Sequence, residues 1–150
     1  MRLLDVLEGG FEGGDGAVDV LEFFEVEEAD AEGLEVVRFV AAEGDAGGDL
    51  DAWRRVMAAI ASSTSAGVKF SGVLMGLGDE RPDSDFQPAC DHLMDCFGPE
   101  RLLWGSDWPH LLADSDYASW YARSNRLLAG FGQAELDCIF GETAARFYGI

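Results

Sequence analysis

Residues 101–113 read RLLWGSDWPHLLA, and this stretch decides the fold. It opens with a short apolar run at 102–104, passes through a Gly-Ser pair, and reaches Pro109, which ends any extended backbone. A short apolar run closed by Gly and Pro is typical of a buried strand that stops abruptly. The stretch therefore predicts a strand of a parallel α/β sheet, with Asp107 lying just beyond its carboxyl end.

Asp107 is the candidate catalytic residue of this stretch. In parallel α/β folds, side chains at the carboxyl ends of the strands face the crevice where ligands bind. A carboxylate there is held on rigid backbone and can accept a proton. The alternative is a structural aspartate whose side chain caps the turn. The residues alone leave both interpretations open.

Composition narrows the class of protein. The chain has 150 residues, 48% of them hydrophobic, which is enough for one globular domain with a core. Its net charge of −19 argues against nucleic acid and anionic membranes as partners, since both need basic patches. The apolar run at the N-terminus is too short for a signal peptide, and no run approaches the roughly 20 residues of a membrane span. The three cysteines form no CxxC pair, which favours reduced thiols and a cytoplasmic protein.

Residues 1–48 form an acidic, Gly-rich segment with no recognisable chemistry. Residues 1–50 carry 15 acidic side chains and 2 arginines, so most of the net charge lies there. Partial strand patterns at 18–26 and 34–40 suggest a loose hairpin, with Glu27 to Gly33 as its turn. The acidic residues at 9–19 lack the ligand pattern of a calcium loop.

From Asp49 the pattern alternates between helices and strands, so 49–150 is the second predicted unit. Helical stripes surround short strands at 68–74 and 102–104, and Gly98-Pro99 ends the clearest helix. Buried strands alternating with helices predict an α/β protein with a parallel sheet. The predicted core residues lie on these stripes and strands: Trp53, Phe70, Phe86, Leu93, Phe97, Leu103, Trp120, Leu128, Ile139 and Phe140.

Smaller expectations accompany this pattern. Asp49 is the expected N-cap of the first helix, Ser84 or Asp85 of the second, and Asp114 or Ser115 of the third. His92 lies opposite the apolar stripe, which predicts a solvent-facing side chain. Lys69 is expected to pack its stem and extend its ammonium group to solvent.

Two parallel strands cannot make a sheet covered on both faces, and they leave bare edges that proteins avoid. A (β/α)8 barrel typically needs about 250 residues. We therefore expect the C-terminal portion of a TIM-like barrel, apparently incomplete, with possible self-association through unpaired strands. A truncated or mis-started reading frame would explain both the missing strands and the unrelated composition of 1–48.

The order of motifs resembles a known family. Val68-Lys-Phe-Ser-Gly72, Phe97-Gly-Pro-Glu-Arg-Leu-Leu-Trp-Gly-Ser-Asp-Trp-Pro109 and Ile139-Phe-Gly-Glu-Thr-Ala-Ala-Arg-Phe-Tyr-Gly-Ile150 follow one another as in the C-terminal part of the amidohydrolase superfamily. The lactonase-like branch, which includes L-fuconolactonases and 2-pyrone-4,6-dicarboxylate lactonases, is the most similar. The resemblance runs from about Asp49 to Ile150.

The resemblance implies a TIM-barrel hydrolase of a lactone or related cyclic carbonyl. Asp107 would match the eighth-strand aspartate, the general base for water and a ligand where zinc or manganese is bound. Trp108 and His110, beside it, would bind a small-molecule substrate. The family's His-x-His pair and middle-strand histidine have no counterpart, since His92 and His110 are the two histidines. The alternative is therefore a non-catalytic remnant or interaction module without metal-binding histidines.

Overall fold

The computed structural model describes residues 26–28, 35–38, 50–72 and 79–150. Within them, four strands form one sheet in the order β1-β2-β3-β4. The strands are β1 (Val26–Glu28), β2 (Glu35–Arg38), β3 (Gly67–Phe70) and β4 (Leu102–Trp104). β1 and β2 pair antiparallel, whereas β2 with β3 and β3 with β4 pair in parallel. The predicted α/β class is confirmed for the described part of the chain.

Helices connect and follow the parallel strands. They are α1 (Leu50–Ser63), α2 (Asp83–Phe97), α3 (Tyr117–Leu127), α4 (Gln133–Asp137) and α5 (Thr143–Tyr148). A π-helical turn, Cys138–Glu142, joins the last two, so the single C-terminal helix expected from the sequence contains a wide turn. No helix in the described ranges is long and apolar enough to cross a membrane.

The core lies between the sheet and its helices, as the apolar pattern predicted. Nine of the ten predicted core residues are buried, and Phe140 is partly buried against them. Leu93 and Trp120 are each only 1% exposed. The Gly98 stop is confirmed as well: its φ is 68°, and its N–H donates to the Met94 carbonyl at 2.9 Å. A glycine with positive φ at this position ends the helix, since other residues rarely adopt that φ.

The expected caps of α2 and α3 are wrong by a few residues. Pro82, which has no capping side chain, precedes α2, so neither Ser84 nor Asp85 is the cap. Asp116 caps α3 by accepting from the Ser119 N–H at 2.9 Å. Ser115 instead contacts a different loop, a long-range interaction that local sequence does not reveal. Asp49, the expected cap of α1, lies outside the described residues.

His92 is not the solvent-facing side chain that the helical pattern predicted. It is half-buried between α1 and α2, and its Nε2 is 2.9 Å from the Arg54 carbonyl oxygen. Its ring lies 5.6 Å from that of Trp53. The expectation failed because the α2 face that carries His92 contacts α1, through Trp53 and Arg54, and is not left to solvent.

The structure extends the parallel sheet into the acidic N-terminal segment. β1 and β2 pair as an antiparallel hairpin, as expected, but Glu27 and Glu28, which were expected in its turn, belong to β1 and pair with Val36 and Glu35. The rest of the expected turn lies outside the described residues. β2 also pairs in parallel with β3, placing Val37 opposite Val68, which the sequence did not predict. The boundary at 48/49 stays a prediction, although the sheet crosses it.

Candidate active site

Asp107 lies just past the end of β4, as expected for a residue facing a site. The ladder between β3 and β4 continues to Gly105, whose N–H donates to the Phe70 carbonyl at 3.2 Å. Asp107 then adopts a φ of 60°, in the left-handed region that L-residues rarely occupy. Its side chain is half-buried. Strained backbone of this kind concentrates at functional sites, because the surrounding structure must hold it in place.

The segment 105–116, here called the site loop, is held by successive backbone hydrogen bonds. The Asp107 carbonyl accepts from the Leu111 N–H at 3.0 Å, and the Leu111 carbonyl accepts from the Ser115 N–H at 2.9 Å. Leu111 is buried and anchors the middle of the loop in the core. Asp107 and Ser115 are thus joined through one rigid turn.

Trp108 and His110 lie at the exposed side of the site loop. Trp108 is 69% exposed, and His110 begins a short 3-10 turn, His110–Ala113. Leu112 is exposed on the same turn. Both side chains predicted to bind substrate are therefore exposed to solvent.

The turn at 79–82, which leads into α2, is fastened to the site loop and to α3. Ser115 Oγ donates to Asp79 Oδ2 at 2.7 Å. Arg123 Nη2 donates to the carbonyls of Asp79 and Arg81 at 2.8 and 2.9 Å. Sequence reasoning missed these residues, since they are 36 to 44 positions apart in the chain.

Arg123 is an unusually buried cation. It is 6% exposed, its Nε lies 3.1 Å from Asp83 Oδ1, and its guanidinium covers the Phe86 ring at 5.2 Å. Asp83 also accepts from Arg126 Nε at 2.6 Å. The hydrogen bond from Arg126, together with the positive charges of Arg126 and Arg123, holds the pKa of Asp83 below its ordinary value. The start of α2 is thereby clamped to α3.

Lys69 and Ser71 lie at the end of β3. Lys69 is half-buried, and its Nζ lies 6.0 Å from the centre of the Tyr148 ring of α5. Ser71 is 1% exposed, and its hydroxyl finds no hydrogen-bond partner within the described residues. A Cβ at Gly105 would lie 3.4 Å from the Ser71 Cβ, so these strand ends approach closely.

The described residues do not form a complete metal site. They contain no group of three or more His, Cys, Asp or Glu side chains placed to hold an ion. Asp107 could contribute one ligand, but a single carboxylate does not fix a divalent cation. Cys90 does not supply a further metal ligand, because burial raises its pKa to about 12 and keeps it a thiol.

Asp107 thus lies at the carboxyl end of a parallel strand, the edge at which α/β proteins bind their ligands. The amidohydrolase family model matches residues 31–150. The chain belongs to the amidohydrolase family, and the resemblance seen in the sequence is confirmed. The match begins at residue 31, so it includes β2 and starts earlier than the expected limit near Asp49.

Two curated relatives carry the name L-fucono-1,5-lactonase. The protein from Burkholderia ambifaria is 33% identical over 109 residues, which cover 70% of this chain and 38% of the relative. The protein from Burkholderia multivorans is 34% identical, over 65% of this chain and 35% of the relative. The chain thus spans well under half the length of these relatives.

Solved structures with related names are similar to this chain in fold as well. A Burkholderia multivorans amidohydrolase crystallised with bound zinc superposes with a TM-score of 0.64 at 30% identity, covering 73% of this chain and 40% of that one. A Pseudomonas putida protein, named as a candidate 2-pyrone-4,6-dicarboxylic acid hydrolase, gives 0.50 at 26% identity, covering 61% and 35%.

Proposed function

We propose that this chain carries the eighth-strand end of a lactone-hydrolysing site, with Asp107 as its general base. The observation that supports this most strongly is the half-buried Asp107 carboxylate on left-handed backbone at the end of β4. The names of the two Burkholderia relatives support a lactone as the substrate class.

The chemistry requires one proton acceptor beside the scissile carbonyl. Asp107 takes a proton from water as the water oxygen attacks the lactone carbonyl carbon. The ring C–O bond then breaks, and the proton passes to the departing ring oxygen, giving a hydroxy acid. Water and lactone are consumed in equal amounts, and no redox partner is needed.

Trp108 and His110 are the proposed substrate contacts of this site. The exposed indole of Trp108 offers an apolar surface to a small ring, and His110 can hydrogen-bond its oxygens. A zinc or manganese ion could take Asp107 as one ligand only with further ligands from outside the described residues. No step of the proposed reaction is therefore assigned to a metal.

The test is hydrolysis of L-fucono-1,5-lactone by the purified chain and by Asp107→Asn. Asparagine keeps the shape of the side chain and tolerates the left-handed backbone, but cannot accept the proton. We expect kcat/KM to fall about 10²–10⁴-fold, as measured by acid release above the spontaneous rate.

Asp116→Asn is the matched control. It removes the same charge from the same loop, yet asparagine still caps α3 through its side-chain oxygen. It should retain the activity of the parent chain. If Asp107→Asn were as active as Asp116→Asn and the parent chain, Asp107 could not be the base.

A non-catalytic module is the second candidate. Two observations favour it: the described residues hold no group of metal-binding side chains, and β4 ends the sheet with one edge unpaired by any described strand. Such an edge can pair with another strand, including one from a second copy of the chain. Lactone hydrolysis no faster than in buffer would favour this candidate.

A further inference from the structure

We propose that Ser115 is a positioning residue, which fixes Asp107 through a brace made of Asp79, Ser115 and Arg123. The brace joins the 79–82 turn, which precedes α2, to the site loop, which follows β4. It is distinct from the groups that would touch the substrate, and its catalytic consequence rests on the proposed function.

The first part of the brace is the bond between the loops. Ser115 Oγ donates to Asp79 Oδ2 at 2.7 Å, and the contact is partly buried. A hydrogen bond to a carboxylate is stronger than one between neutral groups, especially when shielded from water. The end of the site loop is therefore tied to the 79–82 turn.

The second part makes that turn a rigid anchor. Arg123 binds the carbonyls of Asp79 and Arg81 and pairs with Asp83, while its own side chain is almost fully buried. Because α3 supplies Arg123 and directly follows the site loop, the anchor and the loop share one support. Movement of Asp79 would require breaking several polar contacts.

The third part carries the constraint to Asp107. The carbonyl of Asp107 accepts from Leu111, and the carbonyl of Leu111 accepts from Ser115. Asp107 itself holds a φ of 60°, which the surrounding contacts must maintain. Releasing Ser115 from Asp79 thus frees one end of the turn whose other end is the proposed base.

The test compares Ser115→Ala with Ser119→Ala. Each variant loses one serine-to-aspartate hydrogen bond of similar length, 2.7 Å for Ser115 and 2.8 Å for Ser119. The Ser119 bond stays inside the first turn of α3, whereas the Ser115 bond joins two loops. Two properties are measured in the full chain: hydrogen exchange of the Leu111 and Ser115 amides, and the kinetics of lactone hydrolysis.

We expect Ser115→Ala to speed amide exchange in the site loop about tenfold and to lower kcat about tenfold with little change in KM. Ser119→Ala should alter neither, and Ser115→Thr, which keeps the hydroxyl, should restore both. Equal exchange in the two alanine variants would overturn the brace. Faster exchange with unchanged kcat would overturn its role in positioning. If the unaltered chain hydrolyses no lactone, the proposed function and this catalytic role fail together, while the exchange data still decide whether the brace exists.

Discussion

At the scale of single residues, Asp107 shows what the sequence could and could not predict. The Gly-Ser-Asp-Trp-Pro order identified a carboxylate at a strand end, and the structure places it there. The left-handed backbone of Asp107 could not be predicted, because the same short turn sequence is compatible with more than one backbone conformation. As a base, Asp107 needs its carboxylate, whereas as a structural turn residue it needs only to tolerate the backbone conformation.

Substituting Asp107 by Gly and by Ala separates backbone strain from the loss of the carboxylate. Both variants lose the same charge, so their difference reports the cost of a φ of 60°. We expect the glycine variant to be more stable by about 1 kcal/mol, the reverse of the usual order. Urea unfolding measures the free energy of each variant. An alanine variant as stable as the glycine variant would show that the backbone relaxes and is not held.

At the scale of secondary structure, apolar periodicity predicted the helices and buried strands of 50–150 well, except that β3 ends at Phe70 and not at the expected residue 74. It failed where contacts join distant parts of the chain. His92 packs on α1, and two tyrosines of α3 flank its buried stripe, Tyr117 at 56% and Tyr121 at 45% exposed, with both rings against Trp104. A helical stripe gives the average inward direction, but the partner helix and its angle decide which flanking residues are covered.

The clamp between α2 and α3 predicts a specific loss of stability in acid. The pKa of Asp83 is lowered in the folded chain, chiefly by the Arg126 hydrogen bond, so the ionised form favours folding. This contribution is fully present above the unfolded pKa of about 3.9 and is lost as the pH falls through the lower folded value. Urea midpoints measured from about pH 5 to about pH 2 should therefore fall.

Asp83→Asn should remove part of that pH dependence, since asparagine does not ionise. Asp91→Asn is the control on the same helix, because within the described part of the chain its exposed side chain accepts a local bond from Gln87 and no other. If both variants keep the full acid loss of the parent chain, the clamp does not contribute to it.

At the scale of the whole molecule, the sequence predicted the family and the α/β class but underestimated the sheet. It gave parallel strands only after Asp49, whereas β2 joins them and the family match begins at residue 31. The strand pattern at 34–40 suggested only half of a loose hairpin, because nothing in the acidic run of β2 indicates that it also pairs with β3. The metal ligands and the full substrate pocket could not be predicted, because a site of this class draws side chains from several strands.

Whether Asp107 acts as the base can be read from the pH dependence of kcat/KM for L-fucono-1,5-lactone. A carboxylate base must be ionised, so the rate of the parent chain should fall on the acid side of its profile. In Asp107→Asn that acid limb should vanish along with most of the rate. An unchanged acid limb in the asparagine variant, at comparable rate, would show that a group other than Asp107 takes the proton.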